Sequence, residues 1–284
     1  MYKALNPGAI GAKGGFVHTA ELAGKSGFDG IYFSPSEVIT IGFEKAKTIM
    51  ANQYVKPAGF GLPVEFRRTE DEFKASLAKF PPLAEAAARI GCTRCSTWLT
   101  PASNDLPFKE NFEFHRTRLA EVAKVLARYN IRLGLEFVGP KTSRAGRKYE
   151  FIYTAAGMLQ LCDAIGTGNV GLLLDCWHWY TSGGTVADFD KWTNKNIVDV
   201  HVNDAPKGVA VDQQRDNVRA MPGETGVIDI RGFLRGLQRI GYDGPVMVEP
   251  FSDRIRKLPE EEAVRETKES LDKIWKIAGI PERK

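Results

Sequence analysis

Thiols and imidazoles are scarce: four cysteines and four histidines in 284 residues. Cys92, Cys95, Cys162 and Cys176 fall in or beside strand- and helix-like segments instead of the spaced framework of a disulfide-stapled domain, so reduced thiols are expected. Cys92 and Cys95 form a CxxC, but no second pair accompanies it and it runs into the apolar CSTWLT. Two small buried residues at a strand start account for it more simply than a redox pair or half a zinc site. Long apolar runs are absent too. Nowhere do about 18 uncharged apolar residues follow one another, and MYKALNPGAIG lacks the charged and apolar regions of a leader, so no membrane span and a cytoplasmic location are expected. No Ser/Pro/Gly-rich linker divides the chain, and one domain over residues 1–284 is expected. A net charge of +4 leaves nucleic acid possible without arguing for it, and no nucleic-acid partner is expected. The Gly24-Lys25-Ser26 triplet has Thr19 where a phosphate loop needs its upstream glycine. Gly8, Gly11, Gly14 and Gly15 lack the dinucleotide fingerprint, so a nicotinamide cofactor is unsupported.

What is present is an alternation of strand-like runs and helical periodicity from end to end. ALNPGAI precedes a helix around His18 to Ser26; GIYFS precedes one from about Ser36 to Gln53. The third strand lies within KPAGFGLPVEF, before a long helix from about Thr69 to Ile90. CSTWL leads to a helix from about Asn111 to Tyr129, on which Phe112, Leu119, Val122, Ala123 and Leu126 share a face. RLGLEF, GLLLD, VDVHV and VMVE then alternate with helices at Thr154 to Ile165, near Val186 to Trp192, Ile230 to Ile240 and Glu260 to Ile277. Thr154 and Asp229 are expected caps, and Gly27, Gly91, Gly166 and Gly241 expected left-handed helix ends. Eight β/α units with apolar strands imply an α/β fold with a parallel sheet covered on both faces, closed as a single-domain (β/α)8 TIM barrel.

The four later runs, RLGLEF, VGLLLD, IVDVHV and PVMVEP, each carry a polar group at the downstream end: Glu136, Asp175, His201 and Glu249. An ionised carboxylate taken out of water without a partner costs several kcal/mol. Four such groups at equivalent ends of strands five to eight of a barrel face one mouth, and a shared cation accounts for all of them. Three oxygen donors and one imidazole suit Mn²⁺ or Mg²⁺ first, with Co²⁺ and Zn²⁺ also accommodated.

The runs LLLDCWHW, VHVND, PGETGVIDIRGFLRGL and VMVEPF resemble the xylose-isomerase-like sugar isomerase/epimerase superfamily, nearest its ketose 3-epimerases and hydroxypyruvate isomerases. The likeness covers nearly the whole chain and is sharpest from Glu136 to Glu249. It implies one divalent cation held by Glu136, Asp175, His201 and Glu249, with Glu136 and Glu249 doubling as an acid/base pair on opposite faces of a sugar. It also implies that His178 contacts substrate. Where the family often carries an arginine six residues past the metal-binding histidine, this chain has Lys207, and Arg215 and Arg219 follow in the same loop. Family members often form dimers or tetramers, which makes a homo-oligomer an expectation. A proton beside a carbonyl becomes removable when a metal stabilises the enediolate and a carboxylate within reach takes it. Return to the opposite face is epimerisation, return to the adjacent carbon is isomerisation, and loss of a β-hydroxyl is dehydration; all three stay open.

Around these groups, Trp98, Asp204, Lys207 and Arg215 are further candidates for binding a sugar, keto-sugar or sugar phosphate. Trp98, Trp177, Trp179 and Phe251 could pack on a sugar face or within the core. Basic residues after three of the strands (Lys141, Arg144, Arg147 and Lys148; Lys207, Arg215 and Arg219; Arg254, Arg256 and Lys257) could receive an anionic substrate or be solvated loop charges. His18 and His115 read as ordinary helix residues. With His178 and His201 they complete the histidines, too few for the several-metal site of the DNA-repair endonuclease branch. A non-catalytic carbohydrate-binding barrel is the reading from another class, and retention of both Glu136 and Glu249 speaks against it.

Overall fold

The computed structural model describes residues 1–281. Eight short strands run parallel and close on themselves in chain order: β1 (Tyr2–Leu5), β2 (Gly30–Tyr32), β3 (Lys56–Gly61), β4 (Arg94–Trp98), β5 (Arg132–Glu136), β6 (Val170–Asp175), β7 (Ile197–Val202) and β8 (Pro245–Val248). Closure is made by β8 on β1, with Tyr2 opposite Pro245 and Lys3 opposite Val246. The fold is the expected (β/α)8 barrel. Among the described residues no helix is long and apolar enough to cross a membrane.

One apolar core fills the space between strands and helices; a second, small group (Tyr2, Ala4, Ala58 and Met247, with Tyr32 against it) fills the barrel's interior. Tyr32, Ser96 and Asp199 enter that interior as a hydrogen-bonded chain. Ser96 Oγ lies 2.8 Å from Tyr32 OH and donates to Asp199 Oδ2 at 3.1 Å. A register shift between β6 and β7 pairs Leu172 with Ile197 but Leu173 with Asp199, leaving Val198 as the extra residue. Such a bulge resets the side-chain alternation, so that Ile197, Val200 and Val202 join the outer core while Asp199 and His201 share the opposite face.

The helices depart from expectation at several places: Pro7–Ile10, expected within the first strand, is a short helix, and Asp253–Lys257 is a further one. The segment after β2 is two helices, Pro35–Ile41 and Phe43–Asn52, parted at Gly42, whose φ of 86° leaves the helical region. That after β3 is also two, Glu70–Ala78 and Phe80–Arg89, because Pro81 and Pro82 supply no N–H and can sit only in a helix's first turn. After β6 the α-helix is Cys176–Thr181, directly on the strand end, while Val186–Asp190 is a 3-10 turn. Thr154 and Asp229 cap their helices through Gly157 N–H (3.2 Å) and Gly232 N–H (2.9 Å). Gly27, Gly91, Gly166 and Gly241 all take positive φ. The four cysteines are buried and free.

Candidate metal centre

Glu136 ends β5 in register with Trp98, and Asp175 ends β6 in register with His201. Val248 pairs with Val202, which puts Glu249 one step past the end of β8. Register and alternation therefore turn all four groups to one mouth. One ligand atom from each of Glu136, Asp175, His201 and Glu249 lies within 4.8 Å of every other. Ligand bonds of about 2.0–2.2 Å place opposite donors about 4 Å apart, so the cluster needs only slight contraction to enclose an ion.

The hydrogen bonding points the same way. Glu136 Oε1 and both ring nitrogens of His201 are buried without a hydrogen-bond partner, although buried polar groups are nearly always satisfied. His201 Nδ1 sits 3.5 Å from Glu249 Oε2 and 3.8 Å from Glu136 Oε1, ion-pair distances outside hydrogen-bond geometry. Asp175 is clamped. Its Oδ1 accepts Trp177 N–H at 2.7 Å and the Asn203 amide at 3.0 Å; its Oδ2 accepts Arg219 Nη1 at 2.7 Å. The unpartnered atoms and the oxygen-rich donor set fit one divalent cation.

Charge is balanced within the cluster. Burial and the neighbouring Glu249 carboxylate push Glu136 well above the usual carboxylate range. Burial opposes ionisation of Glu249 as well, but His201, Arg219 and His178 outweigh it and hold that carboxyl down at about 2. Burial would favour a neutral His201 ring, and Glu249 with Glu136 outweighs it, raising the imidazole to about 10. An imidazole and carboxyls that ligate a cation do so deprotonated, so loading couples to proton release.

His178 and Arg219 complete the site. Gly139 N–H donates to His178 Nδ1 at 3.2 Å, which assigns the ring proton to Nε2. Burial, with Arg219 nearby, lowers the His178 pKa and keeps the ring neutral. Arg219, its side chain wholly buried, gives Nε to Asp216 O, Nη1 to Asp175 and Glu249, and Nη2 to Asp216 Oδ1 at 2.7 Å. Arg219 Nη2 also lies 3.3 Å from His178 Nε2. Two donors cannot bond each other, so the pair presents converging N–H groups to a third atom.

Of the other candidates, Asp204 is fully buried and spends its oxygens on backbone: Oδ2 accepts Thr225 and Gly226 N–H, Oδ1 accepts Ile228 N–H. With the Asp204–Ala220 bridge it staples the excursion of residues 206–228. Lys207 and Arg215 are exposed on that excursion. Arg219 is the basic group that the staple carries to the cluster. Trp98 is 48% exposed at the end of β4, with the Arg67 guanidinium 4.6 Å from its ring. Trp177 and Trp179 are buried. Residue reasoning also passed over Asn203 and Asp216; nothing local distinguishes them except proximity to His201 and Arg219.

The family profile described as xylose isomerase-like TIM barrel matches residues 20–274. The chain belongs to that family. Among its relatives, the inosose isomerase of Halalkalibacterium halodurans is 25% identical over 270 residues, 91% of this chain and 90% of its own. Among solved structures, a xylose isomerase domain protein from Alicyclobacillus acidocaldarius is similar at 28% identity with a TM-score of 0.86, covering 98% of this chain and 99% of that one. The IolI protein with a bound zinc atom is 21% identical with a TM-score of 0.79, covering 96% and 98%; at that identity it speaks for the shared fold.

Proposed function

We propose that this xylose isomerase-like barrel is a divalent-metal-dependent isomerase or epimerase of keto-polyols, with inososes the first substrates to test. The observation that carries the reading is the four-residue cluster, its ligand atoms within 4.8 Å and partly unpartnered, at the mouth of a barrel whose relative is an inosose isomerase. Glu136, Asp175, His201 and Glu249 hold the cation. When bound there, it polarises the substrate carbonyl and stabilises the enediolate. Mn²⁺ and Mg²⁺ lead on the donor set, and Zn²⁺ is the competitor to load, given the IolI structure. Glu136 and Glu249 flank His201 and act as the pair that removes and returns the proton. His178 Nε2–H and the free Arg219 Nη2–H hold a substrate oxygen between them, where fixed donors stabilise developing negative charge. Trp177, its ring 5.4 Å from the Arg219 guanidinium, and Phe137, its ring 6.4 Å from that of His178, pack against the donor pair.

The test is deuterium incorporation in heavy water by NMR across inososes, ketoses and their phosphates, with Mn²⁺, Mg²⁺, Co²⁺ and Zn²⁺ in turn. Exchange at a carbon next to the carbonyl is expected, lost on chelation and lowered about 10²- to 10⁴-fold in Glu136→Gln and Glu249→Gln. Loss of water with exchange would make the enzyme a dehydratase. No exchange with any compound and cation would leave a binding barrel and end the proposal.

A further inference from the structure

Asp216 is a partly exposed carboxylate beside the donor pair. Its carboxylate accepts from Arg219 Nη2 at 2.7 Å and lies 3.7 Å from His178 Nε2, close to both donors of the pair. The other carboxylate near that nitrogen, Glu136, is 3.9 Å away and only 8% exposed, against 37% for Asp216. Asp216 also lines a cleft of about 510 Å³ with Thr142, Ser143, Ala145, Arg215 and Asn217. Asp216 is the residue that the cleft shares with the donor pair.

Several of the basic groups around the mouth are already committed to other partners. Guanidinium N–H groups number five. Of those on Arg219, one goes to Asp216 O, those of Nη1 to Asp175 and Glu249, and one to Asp216 Oδ1, leaving a single N–H on the His178 side. Lys141 is paired with Asp212 at 2.8 Å, Arg144 with Glu150 at 3.2 Å and Arg254 with Glu266 at 2.7 Å. Arg215 lines the same cleft and is exposed, and the charged partner of Asp216 is Arg219 at 2.7 Å. One N–H from Arg219 and one from His178 suit a single carbonyl or hydroxyl oxygen. A phosphate or carboxylate needs more donors and would meet Asp216 at close range, where like charges repel.

We infer that Asp216 is a specificity-determining residue that restricts the site to uncharged keto-polyols and rejects sugar phosphates and sugar acids. This rests on the function proposed above. Asp216 acts twice: it aims Arg219 at the cluster, and it places its own charge beside the substrate oxygen.

The experiment compares 2-keto-myo-inositol and D-fructose with D-fructose 1-phosphate as exchange substrates for wild type, Asp216→Asn and Asp216→Ala, each loaded with cation. Wild type is expected to favour the uncharged compounds in kcat/KM by about tenfold or more. Both variants should shrink that ratio, mainly by lowering KM for the phosphate ester. A wild type that prefers the ester, or a ratio unchanged in both variants, overturns the inference while leaving the reaction class standing. If nothing exchanges deuterium, the reaction class falls instead. Inorganic phosphate added to cation-free protein then decides on charge selection: a rise in unfolding temperature in Asp216→Ala but not wild type supports it, and an equal response refutes it.

Discussion

Replacing Arg219 by Met separates the cation's contribution from the chain's own. The Arg219 side chain is wholly buried and bridges Asp175 Oδ2 at 2.7 Å and Glu249 Oε2 at 3.2 Å. Methionine fills much of the same volume without charge, so the loss is electrostatic. Removing one partner of a buried ion pair typically costs about 3–5 kcal/mol, because the remaining charge is left uncompensated in a poorly solvating place. Asp175 keeps the Trp177 N–H and the Asn203 amide, which argues for the lower half of that range. A divalent cation restores a positive charge to the same carboxylates. Ligand at a hundred times its Kd adds about 2.7 kcal/mol to folded-state stability, and the variant, having lost the competing guanidinium, should gain more from it than wild type does. Urea unfolding followed by tryptophan fluorescence, with chelator and with saturating Mn²⁺ or Zn²⁺, measures both. The reasoning is refuted if the variant loses less than about 1 kcal/mol in chelator, or if the loss is the same with and without cation.

Two further substitutions probe a support of the site and a buried histidine away from it. A Cβ on Gly139 would lie 2.3 Å from His178 O and 2.6 Å from Thr181 Oγ1. Gly139→Ala should therefore push the Cys176–Thr181 helix aside, costing about 1–3 kcal/mol by overpacking and lowering kcat/KM through a displaced His178; steady-state kinetics and melting that match wild type would contradict it. His115, stacked among Phe66, Phe114 and Phe151, is lowered to about 4 by burial. The unfolded chain then binds the proton more readily than the folded one between the unfolded value of about 6.5 and about 4, so stability falls as pH falls through that window, by roughly 3 kcal/mol in all. Buried Asp199, raised to about 6 by burial, works in the opposite direction. The difference between wild type and His115→Leu isolates the histidine, and a difference independent of pH from 7 to 4 would refute the assignment.

The barrel was legible because its strands are buried on both faces and read as unbroken apolar runs, and the cluster because a charge at the end of such a run has no cheap alternative to a partner. What escaped was set by long-range contacts. Arg219 lies in an excursion without periodicity, and only the Asp204 staple to residues 225–228 brings it to Asp175. The family resemblance draws attention to Lys207 instead, which is exposed. The Cys176–Thr181 helix is six residues, nearly all buried, too short and too uniformly apolar to show a period. The two split helices hid their breaks for a related reason. Gly42 and the Pro81–Pro82 pair are local signals, but the apolar pattern carries on across them, since both halves pack on the same core.

The central claim is a single cation held by four side chains, and titration calorimetry of chelator-stripped protein with Mn²⁺, Mg²⁺ and Zn²⁺ tests it most directly. The account predicts one site per chain for at least one of these ions, with binding lost in Asp175→Ala and His201→Ala while the folded state persists. Absence of binding by any of them, or binding that survives both substitutions unchanged, would contradict it.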